Sequence, residues 1–242
     1  MKVLLTRPKS DSDELAKKLE RMGFKTYKNP LIKIKKIKIS KNLYPNLYDL
    51  IIFTSKNGIK FFQNEIFKSK KTLTVGQGTL KEAKKKGYKN LLCADGSIKE
   101  LKILFAQNFR NTKSSVLHPT SIEIRQDLKK FIERNGCNYI NLPVYETEKH
   151  NFSPDLFKSF LLSGSGLITL FSPKTAESFV DNISQMNLNN YCSDKILVVL
   201  SEAIKLKVEK LSFKKIIILG KPNEENLLYT IRKLLIKNED IL

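Results

Sequence analysis

The hydroxyl-rich stretches Thr54-Ser55 and Ser172-Pro173 stand where an apolar run gives way to a polar, helix-like pattern. Ser and Thr at such a place accept hydrogen bonds from the free N–H groups of a helix's first turn, and Pro suits the first helical position. The same N–H groups and the positive end of the helix dipole bind carboxylates, although plain capping explains these residues as well. Arg7, in Thr6-Arg7-Pro8, follows another apolar run. Its guanidinium can grip a carboxylate through two parallel bonds; a surface arginine is the plainer alternative. Tyr145, in Pro143-Val144-Tyr145-Glu146-Thr147, stands where a strand is expected to end. A tyrosine hydroxyl can give a proton to a leaving group, while strand tyrosines more often serve packing. Gly76-Gln77-Gly78-Thr79 opens like a dinucleotide fingerprint, but Lys81 occupies the third glycine's place and no Gly-Lys-Ser/Thr follows. It reads as a tight strand-to-helix turn whose backbone can approach an anion.

Composition narrows the chemistry. The chain has 242 residues, 41% hydrophobic and 28% charged, with a net charge of +20. That composition describes a folded, globular protein rather than a disordered one. Cys93, Cys137 and Cys192 are odd in number and widely spaced, so reduced, buried thiols are expected. With His118 and His150 as the only histidines, a histidine-built metal site or catalytic triad has little support. No apolar run approaches the roughly 18 residues of a membrane helix, and the apolar stretch after Met1 is too short for a secretion signal. Cytoplasmic localisation, no membrane partner and a monomer are expected. The charge favours an anionic ligand, but the chain lacks the aromatic–basic motifs and zinc-finger spacing of nucleic-acid binders. A binding protein for an anionic metabolite remains an alternative to an enzyme.

An internal repeat organises the chain. Shifting the opening residues by about 113 positions brings Val3 to Val116, Leu15 to Leu128, Gly23 to Gly136 and Pro30 to Pro143. A shift near 117 brings the region of Phe53 to Phe62 onto that of Phe171 to Phe179, and later strands also correspond, with a small insertion expected around Asn187–Ser193. Strand centres are expected near Val3, Tyr27, Ile51, Leu73, Leu91, Val116, Ile140, Ile168, Val198 and Ile217. Between them run amphipathic helices, one opened by a capping-box-like Ser10 and Asp13 and ending at Gly23, another with the stripe Ile124, Leu128 and Phe131 ending at Gly136. Alternation of this kind predicts two flavodoxin-like, Rossmann-like domains with parallel sheets, whose ligands bind at the carboxyl ends of the strands.

The ordered motifs resemble the uroporphyrinogen-III synthase family over essentially the whole chain. They are Val3-Leu4-Leu5-Thr6-Arg7-Pro8, Asp49 to Gly58, Val75-Gly76-x-x-Thr79, Arg125-x-x-Leu128 through Gly136, Val144-Tyr145-x-Thr147 and Leu170-Phe171-Ser172-Pro173. The resemblance implies one discontinuous domain of residues 1–36 with 149–242, a second of 37–148, and a two-stranded connector. It implies hydroxymethylbilane, a linear tetrapyrrole with eight carboxylates, as substrate, and uroporphyrinogen III as product, with the last ring inverted and no metal or organic cofactor. It marks Tyr145 as the catalytic candidate, and Arg7, Thr54, Ser55, Gly76, Thr79, Ser172 and Lys174 for substrate contact. Two loops depart from the family pattern. Ser201-Glu202-Ala203-Ile204 lacks threonines, and Thr120-Ser121 lacks a glycine and an arginine.

Overall fold

The central strands of each sheet, such as Leu50–Phe53 and Gly166–Leu170, are short apolar runs buried on both faces. A computed structural model describes residues 1–40, 42–123, 126–150, 153–221 and 223–239; Ile124 and Arg125 lie outside the described residues. The elements run β1 (Lys2–Leu5), α1 (Lys9–Arg21), β2 (Lys25–Lys28), β3 (Ile32–Lys36), β4 (Leu50–Phe53), α2 (Lys56–Phe61), β5 (Lys71–Thr74), α3 (Gln77–Lys85) and β6 (Leu91–Cys93). They continue with α4 (Ile98–Phe109), β7 (Ser115–Ser121), α5 (Gln126–Arg134), β8 (Asn138–Lys149), α6 (Pro154–Leu162), β9 (Gly166–Leu170), α7 (Pro173–Gln185), β10 (Lys195–Val199), α8 (Glu202–Leu206), β11 (Lys215–Ile218) and α9 (Glu224–Glu239). Each expected strand centre falls in a strand; β3 is additional. The chain divides into two compact units, one of residues 1–33 with 148–242 and one of 34–147.

The first unit holds a sheet in the order β11-β10-β9-β1-β2, paired in parallel. The second sheet runs β3-β8-β7-β4-β5-β6, with β4 to β8 paired in parallel. Numbered from β4, the five parallel strands of the second sheet follow the doubly wound order 3-2-1-4-5. The first sheet follows the same order when counted from β9 through β11 and then β1 and β2. The two sheets are therefore related by a circular permutation. This explains why the repeat pairs the opening of the chain with residues near 116, yet pairs residues near 53 with those near 171.

Helices cover both faces of each sheet. In the first unit, Leu4, Ile168, Leu197 and Val199 pack against Phe157, Phe160, Phe179 and Ile183 of α6 and α7. On the opposite face Val3, Leu5, Leu167 and Val198 meet Leu15 and Leu19 of α1 and Leu227 and Ile231 of α9. In the second unit, Leu50, Ile52 and Val116 face Leu101, Phe105, Leu128 and Ile132 of α4 and α5. Ile51, Phe53 and Leu117 face Ile59 and Phe62, in and just beyond α2, and Ala83 of α3. Gly23 and Gly136, at φ +84° and +74°, end the matching helices α1 and α5 in the left-handed conformation that glycine adopts without strain. The expected capping box at Ser10 and Asp13 does not form. The helix starts at Lys9 behind Pro8, which has no N–H to satisfy and makes no side-chain cap.

Candidate functional site

In open parallel sheets, ligands bind beyond the carboxyl ends of the strands where the strand order reverses. In the second unit that place lies between β4 and β7, the first and fourth strands in its order. The hydroxyls Thr54 and Ser55 leave β4 there. Because side chains alternate along a strand, the two point to opposite faces and meet different partners.

Ser55 is the N-cap of α2, and its Oγ accepts the Gly58 N–H at 3.2 Å. The same oxygen lies 3.1 Å from the Tyr145 hydroxyl. Tyr145 is buried, with its ring 6.0 Å from that of Phe61. It is not at the end of a strand, as the sequence suggested. β8 continues to Lys149 because a second stretch of backbone supports it: Ile37 N–H bonds the Val144 carbonyl. Tyr145 is the last residue of β8 paired with β7, opposite Ser121 and just past a bulge at Thr120/Ser121. The bulge re-aims the end of the strand and places Tyr145 over the face that carries Ser55.

Thr54 turns to the other face, where its Oγ1 lies 2.9 Å from His118 Nε2. His118 Nδ1 lies 2.6 Å from the Tyr139 hydroxyl, and Tyr139 in turn reaches Asn141 Oδ1 at 3.4 Å. His118 and Tyr139 are buried, whereas Thr54 is half-buried. Sequence reasoning missed both. A polar residue two places after buried Val116 in an apolar strand was the available signal; its partner depends on the pairing of β4 with β7.

Gly76 caps α3 beside these residues, at the end of β5. A methyl group there would come within 2.8 Å of the Gly96 Cα, so the two loops need this close approach. Thr79 is buried, and its N–H bonds the Gly76 carbonyl. The Lys56 stem crosses Gly78, where an added methyl would meet Lys56 Cε at 3.2 Å.

In the first unit the corresponding reversal lies between β1 and β9. Ser172 is the N-cap of α7; its Oγ accepts the Thr175 N–H at 3.1 Å and lies 2.8 Å from Thr175 Oγ1. Lys174, half-buried, follows in the first turn. Arg7 is not a loose side chain. It pairs with Asp11 at 2.6 Å, approaches Glu224 at 3.7 Å and lies 4.5 Å above the Phe171 ring. Thus the structure brings together Ser55 and Tyr145 on one face and Thr54 and His118 on the other, with Gly76 and Thr79 on the neighbouring strand end. On the first unit, Arg7 follows β1, and Ser172 and Lys174 follow β9, its neighbour in the sheet. Among the described residues no group of three or more His, Cys, Asp or Glu could hold a metal ion, and no helix is long and apolar enough to cross a membrane.

The site therefore consists of hydroxyls, a buried imidazole and helix starts. The family profile described as Uroporphyrinogen-III synthase HemD matches residues 13–229. The chain belongs to the uroporphyrinogen-III synthase family. That family is one of cyclising lyases of porphyrin biosynthesis. Among its relatives, a Ruminiclostridium josui protein named Porphyrin biosynthesis protein HemD is 26% identical over 207 residues, 78% of this chain. The match spans only 40% of that longer protein. A Methanocaldococcus jannaschii protein provisionally named a uroporphyrinogen-III synthase is 28% identical over 235 residues, covering 90% of this chain and 92% of that protein. In fold, the chain is similar to the uroporphyrinogen-III synthetase of Helicobacter pylori, with a TM-score of 0.61 at 16% identity, over 87% of this chain and 93% of the other. It is also similar to a mutant Thermus thermophilus uroporphyrinogen III synthase, with a TM-score of 0.56 at 12% identity, over 97% and 99%.

The two loops that depart from the family pattern keep their structural place. Ser201 is the N-cap position of α8, with no side-chain capping bond. Thr120 is buried at the end of β7, and Ser121 Oγ donates to the Glu123 carbonyl.

Proposed function

We propose that this chain is a uroporphyrinogen-III synthase that converts hydroxymethylbilane to uroporphyrinogen III. The observation that carries the reading is the family match over residues 13–229; the hydroxyl-lined strand ends support it. The terminal hydroxyl of the substrate leaves, and with one proton it becomes water. The resulting electrophilic carbon is attacked by the substituted carbon of the last ring. The spiro product fragments and recloses with that ring inverted, releasing one proton on aromatisation. Because hydroxymethylbilane also closes by itself to the uninverted isomer, the protein must hold the chain in one fold and favour one cationic path, more than supply a strong acid or base. Hydroxyls and backbone N–H groups suit that task.

In this reading Tyr145 assists departure of the hydroxyl, with Ser55 fixing the direction of its O–H. Thr54, Ser172, Lys174 and the turn from Gly76 to Thr79 contact substrate carboxylates. Arg7 takes part by exchanging Asp11 for a substrate carboxylate. The protein acts as a monomer in the cytoplasm and uses no cofactor. Residues 1–36 with 149–242 and residues 37–148 are the proposed functional domains.

The test is incubation with freshly made hydroxymethylbilane, followed by oxidation and separation of the porphyrin isomers. Isomer III in large excess over the spontaneous isomer I is expected, unchanged after dialysis against a chelator. Isomer I alone would overturn the activity, and chelator-dependent loss restored by a metal would overturn the cofactor-free reaction.

A further inference from the structure

His118 is a buried histidine that the reaction scheme leaves unused. Its side chain is fully excluded from solvent, in a strand whose neighbours Val116 and Leu117 are core residues. Burying an imidazole without partners is costly, and both of its nitrogens have hydroxyl partners: Nε2 is 2.9 Å from Thr54 Oγ1 and Nδ1 is 2.6 Å from the Tyr139 hydroxyl. The backbone arranges this. Val116 sits opposite Tyr139 in the β7–β8 ladder, so His118, two residues on, is the diagonal neighbour of Tyr139 on the same face. Thr54 shares that face by its two-residue spacing from Leu50 and Ile52, both packed in the same cluster as Val116 and Tyr139.

A neutral imidazole has one donor and one acceptor nitrogen, so the two contacts must run in the same direction. Either the phenol donates to Nδ1 and Nε2–H donates to Thr54, or both contacts run the other way. At 2.6 Å, the Tyr139 contact fits a phenol donating to Nδ1. The Tyr139 hydroxyl can also donate to Asn141 Oδ1, but at 3.4 Å that contact is much longer than the one to Nδ1, and we assign the phenolic proton to the shorter contact. The imidazole proton then sits on Nε2 and is donated to Thr54 Oγ1. That fills an acceptor site on Thr54 and leaves its own proton to be given elsewhere.

We propose that His118 is a positioning residue that holds the Thr54 hydroxyl as an outward hydrogen-bond donor, so that Thr54 presents its proton to acceptors such as substrate carboxylates. The inference deepens the function read above for the same site and rests on it. No proton moves along the chain; the relay only sets which way the Thr54 hydroxyl faces.

Two measurements test it. The first is the imidazole nitrogen spectrum of wild-type protein labelled with ¹⁵N-histidine, with His118 assigned by comparison with His118→Gln. The Nε2–H tautomer is expected; the Nδ1–H tautomer would overturn the proposal. The second is a cycle of Thr54→Val, His118→Leu and the double variant. Thr54→Val is expected to raise KM about tenfold with kcat nearly unchanged, the size of one lost bond to a charged group. If His118 acts through Thr54, the double variant is no worse than Thr54→Val alone, and His118→Gln, which can accept at one atom and donate at the other, recovers much of the KM. Multiplied single effects at equal melting temperature would mean that His118 acts independently, and the proposal fails. Should His118→Leu not fold, the tautomer decides alone. A wild type that gives only the uninverted isomer overturns the reading of function; wild-type activity with independent effects or the wrong tautomer overturns this inference.

Discussion

The Tyr145 hydroxyl lies 3.1 Å from Ser55 Oγ, and the same serine oxygen accepts the Gly58 N–H at 3.2 Å. A single oxygen thus ties the start of α2 to the end of the β7–β8 pairing. The geometry separates the tyrosine's chemistry from its packing. In Tyr145→Phe the ring keeps its place beside Phe61 and Val144, and Ser55 keeps its capping bond. Only the hydroxyl is lost, a neutral bond contributing about 1 kcal/mol. General acid help is usually about 10²–10⁴-fold, but this leaving group also departs unaided. Turnover should fall at or below the low end of that range, with a melting temperature close to wild type. Kinetics beside a melting curve checks this, and wild-type turnover would remove Tyr145 from the chemistry.

Much of this architecture can be read from the order of residues. Val3, Ile51, Val116 and Ile168 announced strands because runs buried on both faces need no polar alternation. Gly23 and Gly136 marked helix ends because a left-handed residue is needed there. The repeat was legible, but its circular permutation was not, since shifted alignments look the same for permuted and sequential halves. The helix caps at Ser55 and Ser172 were legible because capping is local chemistry. His118 and Tyr139 were not, because their meeting requires the pairing of β7 with β8 and the adjacency of β4, which lies more than sixty residues away. The partners that hold Arg7 were legible only in part. Asp11, one helical turn on, was in plain sight, but Glu224 and Phe171 come from distant strands and helices.

Gly58 is required by contact rather than by backbone angle. A methyl group at this position would stand 2.5 Å from the Pro119 carbonyl oxygen and 3.2 Å from Phe53 Cδ1. The first atom belongs to the β7 backbone and cannot swing away, so α2 must lift from the sheet. Gly58→Ala should cost about 1–3 kcal/mol, the usual range for overpacking. Urea unfolding measures it, and a wild-type midpoint would show that α2 is free to shift.

Asp13 links stability to pH. Hydrogen bonds from Lys28 first, and Lys9 second, hold its carboxyl at about 2, below the ordinary 3.8. A carboxyl with a lowered folded value stabilises the protein above its unfolded value, and that contribution disappears as the pH falls toward the folded value. The stability difference between wild type and Asp13→Asn should therefore be steady near neutrality, shrink below about 4 and vanish near 2. The pairs are exposed, so high salt should reduce the difference at every pH. Denaturant titrations across this range check the sign; a difference that stays constant down to pH 2 would show that the carboxylate contributes nothing.

Ser172 and Ser201 offer a controlled comparison of capping with ligand contact. Both have the extended backbone of an N-cap, with φ/ψ of −153°/154° and −162°/161°. Only Ser172 uses its side chain, accepting the Thr175 N–H, whereas Ser201 makes no capping bond. Ser172→Ala should therefore lose about 1 kcal/mol, which lowers the melting temperature by roughly 2–4 °C for a chain of this size. Ser201→Ala should melt like wild type. The stability loss alone says nothing about substrate, so the deciding variant is Ser172→Asp. Aspartate caps as well as serine and complements the positive end of the helix, so the fold is kept. Its charge repels a carboxylate to which the serine hydroxyl would have donated. If Ser172 contacts the substrate, Ser172→Asp melts at or above wild type yet shows a KM raised about tenfold or more. A Ser172→Asp variant with wild-type KM would leave Ser172 as a cap and nothing else.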